Sequence, residues 1–247
     1  MKATLFAVPA SHPSLAAELM LRRKGIEYRR LDLVSAVHRL IVRWLGYPRG
    51  TVPALRLDGA RVQGTREIAL ALDALRPEPP LFPRDPGRRR AVEEAESWGD
   101  EAYQPVPRRL VWAALRRHGS SISTYLEGAR LGIPISIAAR TAPPIVRAGV
   151  RLNRASDDAV RRDLTALPAL LDQVDALIRE GTIGGDQPNV ADYQIGTSTA
   201  LLSTVEDVRP LLDGRPAAEH ARRIAPDFPG HVPRVYPAAW LPQPVGR

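Results

Sequence analysis

The chain of 247 residues contains no cysteine. Disulfides, thiolate metal sites and any mechanism that uses the protein's own thiol as nucleophile are therefore excluded. Lysine is nearly absent as well: Lys2 and Lys24 are the only ones among 35 basic residues, so the net charge of +8 is carried by arginine. Those arginines come as scattered groups, Arg88-Arg89-Arg90, Arg108-Arg109, Arg116-Arg117, Arg161-Arg162 and Arg222-Arg223. A nucleic-acid surface gathers its cations on one element of a recognisable module. None is found, so no nucleic-acid partner is expected and the groups are assigned to solvated helix faces. Long hydrophobic runs are missing too. Ile133 to Val150 is apolar but broken by Pro134, Arg140, Pro143, Pro144 and Arg147, which argues against a membrane helix. Met1-Lys2 leads directly into a short strand, without a signal-peptide pattern, so cytoplasmic residence is the expectation. The five histidines, His12, His38, His118, His220 and His231, share no spacing that suggests a metal pair on one helix, and no metal is assigned. His12 is read as a solvent-facing turn residue, the alternative being an electrostatic influence on the site beside Ser11.

What is present begins with Thr51-Val52-Pro53-Ala54-Leu55. A proline between two apolar segments suits a bend better than a central strand, because it cannot donate to the ladder. A cis Val52-Pro53 bond there would leave the Val52 N–H and C=O free for the backbone of a peptide-like ligand. Leu55 and Leu57 alternate with Arg56 and Asp58 at strand spacing, Asp58-Gly59 signals a tight hairpin turn, and Val62 lies on the returning strand. Gly64-Thr65 follows. Thr65 fits an N-cap, with Ile68, Ala69, Leu72 and Leu75 as the buried stripe of the helix it opens. The free N–H groups of that first turn and the Thr65 hydroxyl make a carboxylate site.

The first fifty residues precede this with strand, helix and strand: Ala3 to Val8, then a turn from Pro9 to Pro13, a helix from Leu15 to Arg23 closed at Lys24-Gly25, and a strand begun over Ile26 to Leu33. Strand, helix, strand implies a parallel pair with a right-handed crossover. The order is βαβ followed by ββα. Arg76-Pro77-Glu78-Pro79-Pro80-Leu81-Phe82-Pro83 then reads as a linker, since clustered prolines sustain neither helix nor central strand. The expected organisation is residues 1–76 as the first domain, 77–87 as linker and 88–247 as a helical domain. Within the latter, Arg88 to about Leu115 is expected as one long helix or two, broken near Pro105 and Pro107, with Trp98 and Trp112 as core aromatics and Asp100-Glu101 as an acidic pair that either faces a cleft or, as the favoured reading, is simply exposed. Leu164, Leu167, Leu171, Val174 and Ile178 mark an amphipathic helix despite Pro168. Asn189-Val190-Ala191-Asp192 reads as a capping box with a folding role. The tail from Pro226, with Tyr236 and Trp240, is expected to pack back on the helices.

Ser11-His12-Pro13-Ser14 before the first helix, Lys24-Gly25 at its end, Val52-Pro53, Gly64-Thr65 with Ile68 three further on, and Asn189 to Asp192 together resemble the glutathione transferase superfamily. The resemblance implies an α/β plus all-α fold, a thioredoxin-like amino-terminal domain followed by a helical carboxy-terminal one, and a homodimer. It implies a transferase that activates glutathione, or another low-molecular-weight thiol as cosubstrate, for attack on a hydrophobic small molecule. Ser11 falls where such proteins keep the residue facing the sulfur, as a thiolate stabiliser, with Ser14 as the alternative; its bland reading is a helix N-cap. Val52 and Pro53 would hold the cysteinyl backbone, and Gly64 and Thr65 the γ-glutamyl carboxylate. Gly64 departs from the pattern, which commonly has an acidic residue there to bind the γ-glutamyl amine; Gln63 and Glu67 are nearby substitutes. That departure keeps a second expectation open, a noncatalytic binding or regulatory protein with the same fold. Ile133 to Val150 is read as core packing, or as a wall of the acceptor cavity.

Overall fold

The computed structural model describes residues 2–35, 37–131 and 142–242. Four strands form one mixed sheet in the order β2-β1-β3-β4. Strand β1 (Ala3–Ala7) pairs in parallel with β2 (Arg29–Asp32) and antiparallel with β3 (Ala54–Leu57), which pairs antiparallel with β4 (Ala60–Gln63). Asp58 and Gly59 join β3 to β4 with φ values of 44° and 91°, the left-handed pair that a two-residue hairpin demands.

Helix α1 (His12–Arg23) connects β1 to β2. It ends in a Schellman turn, with Gly25 at φ 59°, its N–H donating to Arg22 O and the Ile26 N–H to Leu21 O. That turn uses the residues just after the helix, so the strand expected from Ile26 begins only at Arg29. Helix α2 (His38–Trp44) follows β2, and α3 (Thr65–Leu75) follows β4. Ile68, Ala69 and Leu72 are buried as expected, but Leu75 is 44% exposed. Leu81 and Phe82 supply the buried groups at that end instead, both held by amide hydrogen bonds to the Asp73 carboxylate.

Helices α4 (Pro86–Trp98) and α5 (Pro105–Arg117) are joined through a π-helical turn, Gly99–Tyr103. The helix is thus interrupted over residues 99–104, just before Pro105 as expected, but by the π turn and not by the prolines themselves. The wide turn, in which Gln104 N–H donates to Gly99 O, absorbs prolines that fall in the first turn of α5, where a missing N–H costs little. A single turn, α6 (Ile122–Tyr125), comes next, and the expectations on Ile133, Pro134 and Arg140 lie outside the described residues. Beyond it come α7 (Ala142–Leu152), α8 (Asp157–Arg179), α9 (Val190–Leu202), the short α10 (Arg209–Leu212) and α11 (Pro216–Ile224).

All thirteen residues of α9 are buried, and it packs against α1, α4, α5 and α11. Such a helix has no amphipathic stripe. Its Thr197, Ser198 and Thr199 hydroxyls are satisfied by carbonyls four residues back. The capping box at Asn189 is formed. The tail packs back as expected, with Val232 bridging to Val205, Tyr236 Oη donating to Leu110 O and Trp240 under Arg117 and Arg161. No described helix is long and apolar enough to cross a membrane.

Candidate functional site

A cleft of about 620 Å³ lies where the sheet domain meets α4, α5 and α7. Ser11, Val52, Pro53, Gly64 and Thr65, far apart in sequence, all line it. Ser11 is the N-cap of α1, so its bland reading holds; it also faces the cleft. Its Oγ accepts from the Ser14 hydroxyl at 2.9 Å and from the Ser14 N–H at 3.4 Å. With its acceptor side occupied, the Ser11 hydroxyl hydrogen is left to point at a ligand. Ser14 itself is 1% exposed and stands behind Ser11, not in the cleft lining.

The Val52-Pro53 bond is cis. Among the described residues neither the N–H nor the C=O of Val52 has a protein partner. The loop before it is pinned by Gln63, a buried side chain that sequence reading left unassigned. Its Nε2 donates to Arg49 O and Thr51 O, and its Oε1 accepts from Arg49 N–H. Nothing in the sequence marks this clamp, because Gln63 simply ends a strand.

Thr65 is not the N-cap of α3. Gly64 holds that position at φ 108°, and Thr65 is the first helical residue. The residue that turns into the helix needs a backbone conformation that only glycine adopts freely, so the cap moves one position earlier. The outcome for ligand binding is favourable, since no side-chain cap consumes the first-turn N–H groups, and the Thr65 hydroxyl has no protein partner among the described residues. A Cβ on residue 64 would collide with the Glu67 carboxylate. Glu67 thus occupies the space beside Gly64 and is paired with Arg49 at 2.9 Å.

His12 departs most from expectation. It is 3% exposed, not solvent-facing, because the start of α1 is pressed against α9. The Ser198 hydroxyl donates to Gln194 O at 2.7 Å, so it can only accept from His12, whose Nδ1 lies 3.1 Å away and carries the proton. The other ring nitrogen, Nε2, is buried without a partner. Burial, and secondarily the Arg108 guanidinium, hold the imidazole well below its ordinary pKa, so it is neutral.

The π turn delivers the opposite wall. Asp100 and Glu101 are exposed as expected, but toward the cleft. Asp100 accepts from Gln104 and, at 3.2 Å, from Gln194. Glu96 is buried, bonded to Arg66 at 2.5 Å, and its carboxyl is raised above the usual range chiefly by desolvation. Further along α5 the lining turns apolar, with Val111, Trp112 and Leu115 facing Ile122, Leu126 and Ile145. Trp112 is therefore a cleft residue more than a core one, and Trp98 is half-buried, stacked on Tyr103 with ring centroids 5.5 Å apart. Gly149 lets α7 approach Trp112 closely, because a Cβ there would enter the indole ring. No group of metal-ligating side chains occurs among the described residues.

Residues 5–80 match the family described as Glutathione S-transferase, N-terminal domain. Many solved structures share the whole-chain fold. Glutathione transferase F7 of Populus trichocarpa has a TM-score of 0.61 at 13% identity, over 90% of this chain and 93% of that one. A glutathione S-transferase of Methylobacterium radiotolerans, solved in complex with glutathione sulfonate, has a TM-score of 0.53 at 20% identity, over 96% and 99%. FzlA from C. crescentus has a TM-score of 0.53 at 17% identity, over 99% and 97%. No curated protein matches the chain by sequence.

Proposed function

From a chain whose residues 5–80 match the glutathione S-transferase N-terminal domain family and whose whole length shares its fold with solved glutathione transferases, we propose a glutathione transferase-like enzyme. It activates glutathione, or a related small thiol, and presents the sulfur to a hydrophobic electrophile. One observation carries the reading: a hydroxyl with a free proton, an unpaired stretch of main chain and an uncapped helix start converge on one cleft whose far wall is apolar.

In this reading Val52 pairs with the cysteinyl backbone of the tripeptide beside Pro53. The N–H groups at the start of α3 and the Thr65 hydroxyl take the γ-glutamyl carboxylate, assisted by the positive helix end. Glu67, beside Gly64, replaces the acidic residue that the position before Thr65 lacks, and receives the γ-glutamyl amine. Ser11 donates its hydroxyl hydrogen to the sulfur. With the N-terminal end of α1 behind it, this lowers the thiol pKa from about 8.5 and raises the thiolate fraction at neutral pH. The thiol proton leaves to solvent, the sulfur attacks the electrophilic carbon, and the leaving group departs with the bonding pair. Binding both reactants together supplies the remaining acceleration. A homodimer belongs to the same proposal.

Calorimetry with glutathione tests it. Saturable binding is expected, weakened several-fold by Thr65→Ala and by Glu67→Gln. No heat with wild type would favour another thiol or a noncatalytic binding role, the reading that Gly64 by itself supports.

A further inference from the structure

The charged groups lining the cleft are not all matched. Glu96 bonds Arg66, Glu67 bonds Arg49, Glu101 accepts from Ser97 at 3.3 Å, and Asp100 is held by Gln104 and Gln194. Two lining cations have no carboxylate partner among the described residues: Arg39 on α2 and Arg108 on α5. Arg108 is the one set into the wall. Its guanidinium makes a single hydrogen bond, to Gln104 Oε1 at 2.7 Å, while the amide nitrogen of the same glutamine goes to Asp100. Gln104 therefore stands between acid and base and leaves the other guanidinium N–H groups without an acceptor among the described residues.

Its surroundings give this cation a direction. Gln104, Arg108, Val111, Trp112 and Leu115 recur at spacings of three and four, on one face of α5, and all line the cleft. Arg108 is also electrostatically coupled to His12, the neighbour of Ser11. The face thus begins with a cation near the thiol subsite and continues as apolar wall for about 10 Å, at 1.5 Å per residue from 108 to 115. Asp100, held off by Gln104, offsets the lost hydration of this half-buried guanidinium only in part, so burial still outweighs it and a ligand anion would make up the difference.

We propose that the acceptor carries an anionic group, a carboxylate or sulfonate, held by Arg108, with its aryl or alkyl body along Val111, Trp112 and Leu115. This rests on the thiol-transfer reading above and names its substrate class. In a model reaction the thiolate sulfur of glutathione attacks the chlorine-bearing carbon of 4-chloro-3,5-dinitrobenzoate. A C–S bond forms, the C–Cl bond breaks, and chloride leaves with the electron pair.

The test compares this carboxylate with neutral 1-chloro-2,4-dinitrobenzene, each rate divided by its uncatalysed rate with glutathione. Wild type is expected to favour the carboxylate. Arg108→Gln should lose about tenfold or more in kcat/KM on the carboxylate and less than threefold on the neutral compound, with Arg108→Lys recovering part of the loss. Equal losses on both would place Arg108 at the thiol and overturn the proposal, as would no preference in wild type. If neither compound is conjugated, the transferase reading fails and binding decides. Wild type should then hold the anionic dye 8-anilinonaphthalene-1-sulfonate more tightly than neutral N-phenyl-1-naphthylamine, and Arg108→Gln should abolish the difference; equal affinities would overturn the proposal.

Discussion

Two helix starts use the same local chemistry and leave different things behind. At Asn189 the side-chain oxygen accepts from the N–H groups of Ala191 and Asp192, while Asp192 returns a bond to Asn189 N–H, takes a second from Gly184 N–H and a third from His220 at 2.8 Å. Asp192 is fully buried and both of its oxygens are engaged. At Ser11 the cap accepts from Ser14 and keeps its own proton, half-buried at the mouth of a cleft. A cap whose bonds all close on the protein holds the fold together. A cap that closes all but one, and turns the remaining one toward open space, has something to offer a ligand. The start of α3 carries this further, since Gly64 supplies no side-chain cap at all.

The largest effect should come from breaking the closed start. Asp192→Ala leaves three partners unmatched, buried His220 and the half-buried N–H groups of Gly184 and Asn189, so the loss should reach about 3 kcal/mol, beyond the ~1 kcal/mol of a simple cap. For a chain of this size that is a fall in Tm of roughly 6–12 °C. A melt displaced by only a degree or two would mean the network carries no more than an ordinary cap.

Breaking the open start should do the reverse. Ser11→Ala is expected to cost about 1 kcal/mol of stability and, in glutathione-dependent conjugation, about 10- to 100-fold in kcat/KM. Full activity in a correctly folded Ser11→Ala protein would reduce Ser11 to a cap like Asn189 and move the role of sulfur partner elsewhere.

At neutral pH the smallest effect concerns His12, the buried imidazole between α1 and α9, whose contribution grows only as the pH falls. Its pKa is depressed in the folded state, so below about 6.5 the unfolded chain binds a proton that the folded chain refuses. Stability therefore falls as pH drops below that value, by at most about 1.4 kcal/mol per unit from this group, until the depressed pKa is reached. Melts between pH 7.5 and 5 should show this slope in wild type and a shallower one in His12→Gln. Identical slopes would mean that the ring is not held neutral.

Much of the fold was legible where its signals are short-range. Asp58-Gly59 at a hairpin, glycine after Lys24 and the Asn189 to Asp192 box each depend on residues within four positions of one another, and each formed as read. The errors also have local causes. Thr65 looked like a cap because threonine commonly is one, yet the left-handed backbone at Gly64 placed the cap a residue earlier. Pro105 and Pro107 looked like the cause of the break between helices, yet they sit in the first turn of α5 and the π turn before them, which nothing nearby announces, makes it.

The order of strands, the absence of a thiol and the candidates Val52 and Thr65 follow from the residues themselves, since propensity, turn chemistry and composition act over a few positions, whereas Ser11 and Gly64 are singled out by the family resemblance. The burial of His12 against Ser198, 186 positions away, the bond from Gln194 to Asp100, 94 positions away, and the turning of Arg108 into the cleft were decided only by packing. Contacts of that range leave no periodicity in the chain. They exist because α9 is buried on every side and the helices around it must place their polar groups wherever a partner or open space remains.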